Sequence, residues 1–269
     1  MPEKRSLLFE PFYNQLVVNY EPLESRDDYQ VSSILYICGG NSISQNSFKE
    51  LVKWRKRQGY VVYTVSTSET GNSSTAIKNY LEDAMDWDTP PEFVTLVGDV
   101  GGSYDIDTYT EYWSGYYGDG DFPYSQLDGN DLWPEVILGR LSVRTSSDIA
   151  NVTNKIIRYE QAYDTSDDWY ERAAIVGDPS QSGISCAITA ENIAEVMEQY
   201  GMEDVRLKTS GGDYDGWMVD QLQEGVSFFN YRGYYGTSGF NSNDIDQSNN
   251  GYKLPFATII TCGTGSFGD

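Results

Sequence analysis

Hydrophobic positions along the chain fall into two alternating patterns. One is a short continuous apolar run closed by glycine, which marks a strand buried on both faces. The other is an apolar stripe at three- and four-residue spacing, which marks a helix with one buried side. Ser33-Ile34-Leu35-Tyr36-Ile37-Cys38 is of the first kind and ends in Gly39-Gly40. Asn46 to Gln58 is of the second, with Phe48, Leu51, Val52 and Trp54 on one side and Gly59 as its stop. The alternation continues through a strand at Tyr60 to Val65, a helix at Ser73 to Trp87 and a strand at Phe93 to Val97 closed by Gly98-Asp99. After a break it resumes with a strand at Pro134 to Leu141 and a helix at Asp148 to Tyr163.

The second half repeats the theme. Ala173 to Val176 is a strand closed by Gly177-Asp178, and Ser185 to Tyr200 is a helix. Val205 to Lys208, Val226 to Tyr231 and Phe256 to Thr261 are further strands, with a helix near Trp217 to Gln223. Strands alternating with helices of this length predict an α/β fold of mostly parallel sheets with helices on both faces. The expected organisation is an irregular N-terminal segment, 1–30, and two tightly packed lobes, 31–145 and 146–269. The first lobe carries a long ordered loop, 100–133, rich in Gly, Tyr and Asp.

Composition narrows the function. The 269 residues include 18 basic and 41 acidic ones, a formal charge of -23, so nucleic-acid backbones and anionic membranes are poor partners. No apolar run reaches the roughly 18 residues that span a bilayer, and Met1 to Leu8 is too short for a signal peptide. An exported protein would have lost its signal before this numbering begins. Cys38, Cys186 and Cys262 form neither a disulfide framework nor a zinc motif. No histidine is present, so the chain itself contains no Ser-His-Asp triad, Cys-His dyad or His-ligated metal.

Ligands of open α/β sheets gather beyond the carboxyl ends of the strands. Asp99 and Asp178 lie there, as do Tyr231 to Gly236 and Cys262, which leads into Gly263-Thr264-Gly265. A cysteine at a strand end can reach a cleft, with following amides free to stabilise an oxyanion. Cysteine is equally a small buried hydrophobe. Asp99 and Asp178 read either as caps of loops and helix N-termini or as site carboxylates. In the acidic loop Asp105, Asp107, Asp119, Asp121, Asp128, Asn130 and Asp131 supply hard oxygen donors of the kind calcium takes, without the spacing of an EF-hand. A solvated acidic turn is the plain alternative. The aromatic pairs Tyr112-Trp113 and Tyr116-Tyr117 either line a cleft or pack that loop.

Several motifs in one order resemble the gingipain-type cysteine peptidases of the caspase-like clan. They are Leu51-Val52-Lys53-Trp54-Arg55 with Gln58-Gly59-Tyr60, Phe93 to Asp99, Leu127-Asp128-Gly129-Asn130-Asp131, Pro134-Glu135-Val136 to Gly139-Arg140, and Ile156 to Glu160. Asn230-Tyr231-Arg232-Gly233 and Leu254-Pro255-Phe256 through Cys262 to Phe267 complete the series. The resemblance implies a secreted or surface endopeptidase domain with Cys262 as nucleophile, protein or peptide as partner, and calcium without an organic cofactor. It places Asp178 where family members gather substrate-pocket residues, and Asp99, from its own strand end, stands beside it as a second pocket candidate. Calcium binding occurs in the family, which favours the acidic-loop candidates Asp105, Asp107, Asp128 and Asp131 without assigning the ligands. Further helix and strand after the nucleophile belong to the family pattern, so the fold of residues 1–269 is expected to be truncated, clipped or completed by another chain.

The departure lies at the base. The family's Gly-His-Gly-Ser run falls on Gly233-Tyr234-Tyr235-Gly236, which puts Tyr234 at the histidine and Tyr235 at the glycine whose amide would help form an oxyanion hole. A phenol ionises near pH 10, about three units above what a base at neutral pH needs. Two functions therefore stand side by side: a cysteine endopeptidase of impaired or assisted activity, and a pseudo-peptidase that binds or assembles. A hydrolase pairing Asp99 with Asp178 has no spacing to support it.

Overall fold

The computed structural model of the chain describes residues 5–129, 131–165 and 167–268. It divides into two compact units, one of residues 1–157 with 267–269 and one of residues 158–266.

The first unit begins with two short parallel strands, β1 (Arg5–Ser6) and β2 (Tyr29–Gln30), separated by helix α1 (Glu10–Leu16). The expected irregular start thus carries a helix, opened by a proline in its first turn. Its sheet is built from β3 (Ser33–Cys38), β4 (Val61–Ser66), β5 (Phe93–Val97) and β8 (Ile137–Leu141) in the order β4-β3-β5-β8, every pair parallel. All six residues of β3 are buried. Period-two alternation sends Leu35 and Ile37 to one face, where they meet Ile77 and Leu81 of α4 (Ser74–Ala84). Ile34, Tyr36 and Cys38 meet Phe48 and Leu51 of α2 (Asn46–Arg57) and Ile149 of α5 (Ser146–Glu160) on the other. A one-turn helix, α3 (Thr67–Thr70), follows β4.

The stretch 100–133 departs from the long loop expected. It contains an antiparallel hairpin of β6 (Tyr109–Trp113) and β7 (Tyr116–Gly120). Ser114 and Gly115 turn it with φ of 50° and 93°, the two positive values of a type I′ turn. Tyr and Thr in these strands fit a pleated surface, and the Ser-Gly dipeptide is the signal the glycine-rich composition hid. A 3₁₀ turn, Phe122–Ser125, follows. Arg140 of β8 pins this region. Its buried guanidinium donates to both oxygens of Asp121 (2.7 and 2.8 Å) and to the carbonyls of Ile106 (2.9 Å) and Asp107 (3.0 Å).

The second unit has a four-stranded parallel sheet ordered β10-β9-β11-β12, from β9 (Arg172–Gly177), β10 (Asp204–Lys208), β11 (Phe228–Tyr235) and β12 (Phe256–Cys262). One face packs Ala174, Val176, Phe229 and Tyr231 against Met218 of α8 (Tyr214–Glu224). The opposite face packs Ala173 and Ile175 on Ala190 and Ala194 of α7 (Ile184–Gln199). Short helices α6 (Pro179–Ser182) and α9 (Ser242–Gln247) flank the carboxyl ends of the strands. No helix among the described residues is long and apolar enough to cross a membrane.

Candidate functional site

Two neighbouring strand ends place the candidate nucleophile. β11 and β12 run in register from Phe228 opposite Phe256 to Arg232 opposite Ile260, then shift so that Tyr235 stands opposite Cys262. One extra residue on β11 is accommodated by a bulge at Gly233 and Tyr234, which re-aims the side chains that follow. Gly233 is required there, because a Cβ would lie 2.3 Å from the Tyr231 hydroxyl. The Gly236 amide donates to the Cys262 carbonyl at 2.8 Å, and the Thr261 hydroxyl donates to the Gly236 carbonyl at 2.9 Å. The backbone thus holds Cys262 at the mouth of the sheet, with its side chain exposed and unpaired, while Cys38 and Cys186 are buried.

Tyr235 closes over the turn after the cysteine. A Cβ at Gly263 would come within 2.8 Å of the Tyr235 ring, and its φ of +78° also favours glycine. Tyr234 and Tyr235 are both exposed, and both line a cavity of about 370 Å³ together with Asp178, Gln181, Tyr214 and Tyr231. The structure therefore brings Cys262, Gly233, Tyr234, Tyr235 and Asp178 into one end of the second unit.

Asp178, the N-cap of α6, is the anchored anion of that cavity. Oδ1 accepts from the Ser180 amide (2.9 Å) and hydroxyl (2.6 Å), while Oδ2 accepts from the Ser238 hydroxyl. Partial burial alone would raise its pKa, but these hydrogen bonds outweigh it and hold the carboxyl below the usual range. Ser238 in turn lies 2.6 Å from the Tyr231 hydroxyl, whose pKa burial raises, so Tyr231 stays a protonated phenol. Ser238, Ser180, Asp213 and Asp215 complete the cavity wall without having been singled out in the sequence. Ser238 and Asp213 sit at φ of 52° and 46°, left-handed conformations that mark strained site backbone, and composition does not report such angles.

The remaining candidates lie in the first unit. Asp99 accepts from the Val100 amide (2.9 Å) and from Arg144 (2.6 Å), a structural cap and ion pair. Asp105 accepts from Asn72 (2.7 Å) and the Gly101 amide (2.6 Å), Asp107 from the amides of Ser74 (3.1 Å) and Thr108 (2.9 Å), and Asp131 from the Trp133 amide (2.8 Å). Asp128 offers its amide to Glu135 at 3.2 Å. As they stand, the oxygens of Asp105, Asp107 and Asp131 accept N–H groups, and no three His, Cys, Asp or Glu side chains among the described residues form a group that could hold a metal. Asn130 and the side chains of Trp113 and Tyr116 lie outside the described residues. Tyr112 and Tyr117 pair their rings at 4.9 Å on the exposed hairpin.

Comparison with known proteins finds relatives over most of the chain. The chain is 27% identical over 277 residues to Gingipain R1 of Porphyromonas gingivalis, covering 96% of this chain and 27% of that protein. It is 26% identical over 280 residues to Gingipain R2 of the same organism, of which it spans 36%. Lys-gingipain matches at 26% over 245 residues, of which the chain spans 13%. The crystal structure of the Arg-specific cysteine proteinase gingipain R superposes with a TM-score of 0.76 at 24% identity, over 92% of this chain and 58% of that one, and so shares its caspase-like α/β fold. The model of Peptidase family C25 matches residues 28–269, and the chain belongs to that cysteine peptidase family.

Proposed function

We propose that this chain is a peptide-binding member of the family, secreted or at the cell surface, that holds a polypeptide beside Cys262 without efficient turnover. One observation carries the reading: the sequence has no histidine, and the strand end paired with Cys262 presents Tyr234 and Tyr235. Thiol-dependent peptide hydrolysis needs a base for the thiol and then an acid for the departing amine. A neutral phenol is a poor base near pH 7, and without an acid the amine would have to leave as an anion. What persists is the binding part of the site: an exposed strand end, a cavity walled by tyrosines and a fixed carboxylate at Asp178.

The exposed thiol of Cys262 favours the second reading, a peptidase that obtains its proton acceptor from elsewhere. The two separate in one experiment. Fluorogenic peptides with Arg, Lys or neutral residues before the scissile bond are incubated with the protein and with Cys262→Ala, and binding of a non-cleavable analogue is followed by anisotropy. Equal binding by both proteins is expected, with no hydrolysis above the alanine variant. Turnover that disappears in Cys262→Ala would establish the peptidase instead. Tyr234→His combined with Tyr235→Gly tests the missing groups directly, and a gain in thiol-dependent cleavage is expected.

A further inference from the structure

Helix α7 buries small residues and exposes large ones. Its buried side consists of Cys186, Ala187, Ala190 and Ala194, of which Ala190 and Ala194 pack on Ala173 and Ile175 of β9. Its bulky apolar side chains point to solvent: Ile184 is 70% exposed, Ile188 48%, Val196 50% and Tyr200, at the C-cap, 88%. Together with Asn192, also exposed, they follow one another at every fourth position from 184 to 200. Residues four apart are neighbours on a helix, so these side chains form a continuous ridge roughly 24 Å long. A single exposed apolar residue needs no explanation, but an unbroken row on a helix that buries only small residues marks a contact surface.

Charge specifies what covers it. Glu191 and Glu195 stand one position before Asn192 and Val196, and with Glu198 they make an exposed acidic row along one flank of the ridge. Glu195 accepts from the Gln199 side-chain amide at 3.2 Å, and among the described residues no cation is paired with any of the three. No Lys or Arg occurs between Arg172 and Arg206, so the segment brings no counter-charge of its own. A second copy of this chain would set glutamates against glutamates, on two molecules that each carry a charge of -23. An anionic membrane is repelled for the same reason.

We propose that the ridge of α7 docks an amphipathic helix of another protein, apolar where it meets Ile188 and Val196 and basic where it meets Glu191 and Glu195. Ridges of four-residue spacing interdigitate at about −50°, so the partner carries Leu or Ile at the same step. Asn192, polar in the middle of the apolar row, fixes the register of the pair. The surface shares no residue with the cavity at Asp178, and the inference stands whether or not a peptide binds beside Cys262.

The test uses a labelled synthetic helix of about 18 residues, long enough to match the ridge, with Leu at every fourth position and Lys on the flanks. Binding to the full chain is followed by anisotropy, beside a scrambled peptide of the same composition and one with Glu in place of Lys. Saturable one-to-one binding of the patterned Lys peptide alone is expected. Ile188→Gln with Val196→Gln should weaken it roughly 10-fold or more. Glu191→Gln with Glu195→Gln should weaken it less and flatten its salt dependence, and Tyr234→Ala should leave it unchanged. All four α7 positions are exposed, and an unchanged melting curve confirms that the variants fold. Equal binding of the scrambled peptide, or binding indifferent to Ile188→Gln with Val196→Gln, would overturn the proposal, since net charge alone would then be the attraction. Binding lost in Tyr234→Ala but kept in the α7 variants would also overturn it, placing the peptide in the cavity instead. A dimer in sedimentation equilibrium that Ile188→Gln with Val196→Gln dissolves would make a second copy the occupant, against this assignment.

Discussion

At the scale of single residues, three thiols in one chain have two different fates, one exposed and two buried. Cys262 stands exposed at a strand end, whereas Cys38 is walled in by two helices and burial pushes its pKa up to about 12. Native protein treated with iodoacetamide is therefore expected to take one label by intact mass, and Cys262→Ala none. Cys38 also sets a limit at high pH. Its folded pKa lies above the unfolded value of roughly 8.5, so its contribution to stability is complete below that value and fades as pH climbs toward 12. Asp178 has the opposite sign. Its depressed pKa gives stability that is present above about pH 4 and lost on acidification, and Asp178→Asn should flatten that part of the acid-unfolding curve. The type of residue at 178, 234 and 262 could be read directly from the sequence. Their common surroundings could not, because Ser238 enters only through a left-handed backbone that no composition announces.

At the scale of elements, the local pattern was a good guide wherever one face was buried. β3 and β5 begin where their apolar runs begin, because a continuous apolar run of that length has few other low-energy uses. The hairpin β6–β7 was hidden for the opposite reason: its strands are polar, exposed and rich in glycine, so periodicity carried little signal. Its anchor is Arg140, a near-buried charge whose donors are spread over Gly98, Ile106, Asp107 and Asp121. Arg140→Met would leave Asp121 without its ion partner and remove the guanidinium donors from the carbonyls of Gly98 and Ile106, while the Asp107 carbonyl would keep the Tyr124 hydroxyl. A loss of about 3–5 kcal/mol is expected in urea unfolding, far beyond the fraction typical of an exposed pair such as Lys53 with Glu50.

At the scale of the whole molecule, a charge of -23 shapes every encounter. Negative potential gathers cations, so a basic peptide should associate faster than an acidic one of equal length, and the difference should shrink as salt approaches 0.5 M, where screening acts within roughly 4 Å. Stopped-flow anisotropy with the two peptides measures this, and equal rates at low salt would show that the cavity and not the field selects the partner. By itself, the sequence determined the alternation of strand and helix, the parallel sheets, the thiol at the end of the last strand and the loss of histidine, because each is written in residue type or in short-range periodicity. Tertiary structure alone decided the bulge that aligns Tyr235 with Cys262, the serine clasp on Asp178, and the burial of Glu92 with neither carboxylate oxygen hydrogen-bonded. Those depend on which distant segments come to lie against one another, and pairings across tens of residues leave no local periodicity.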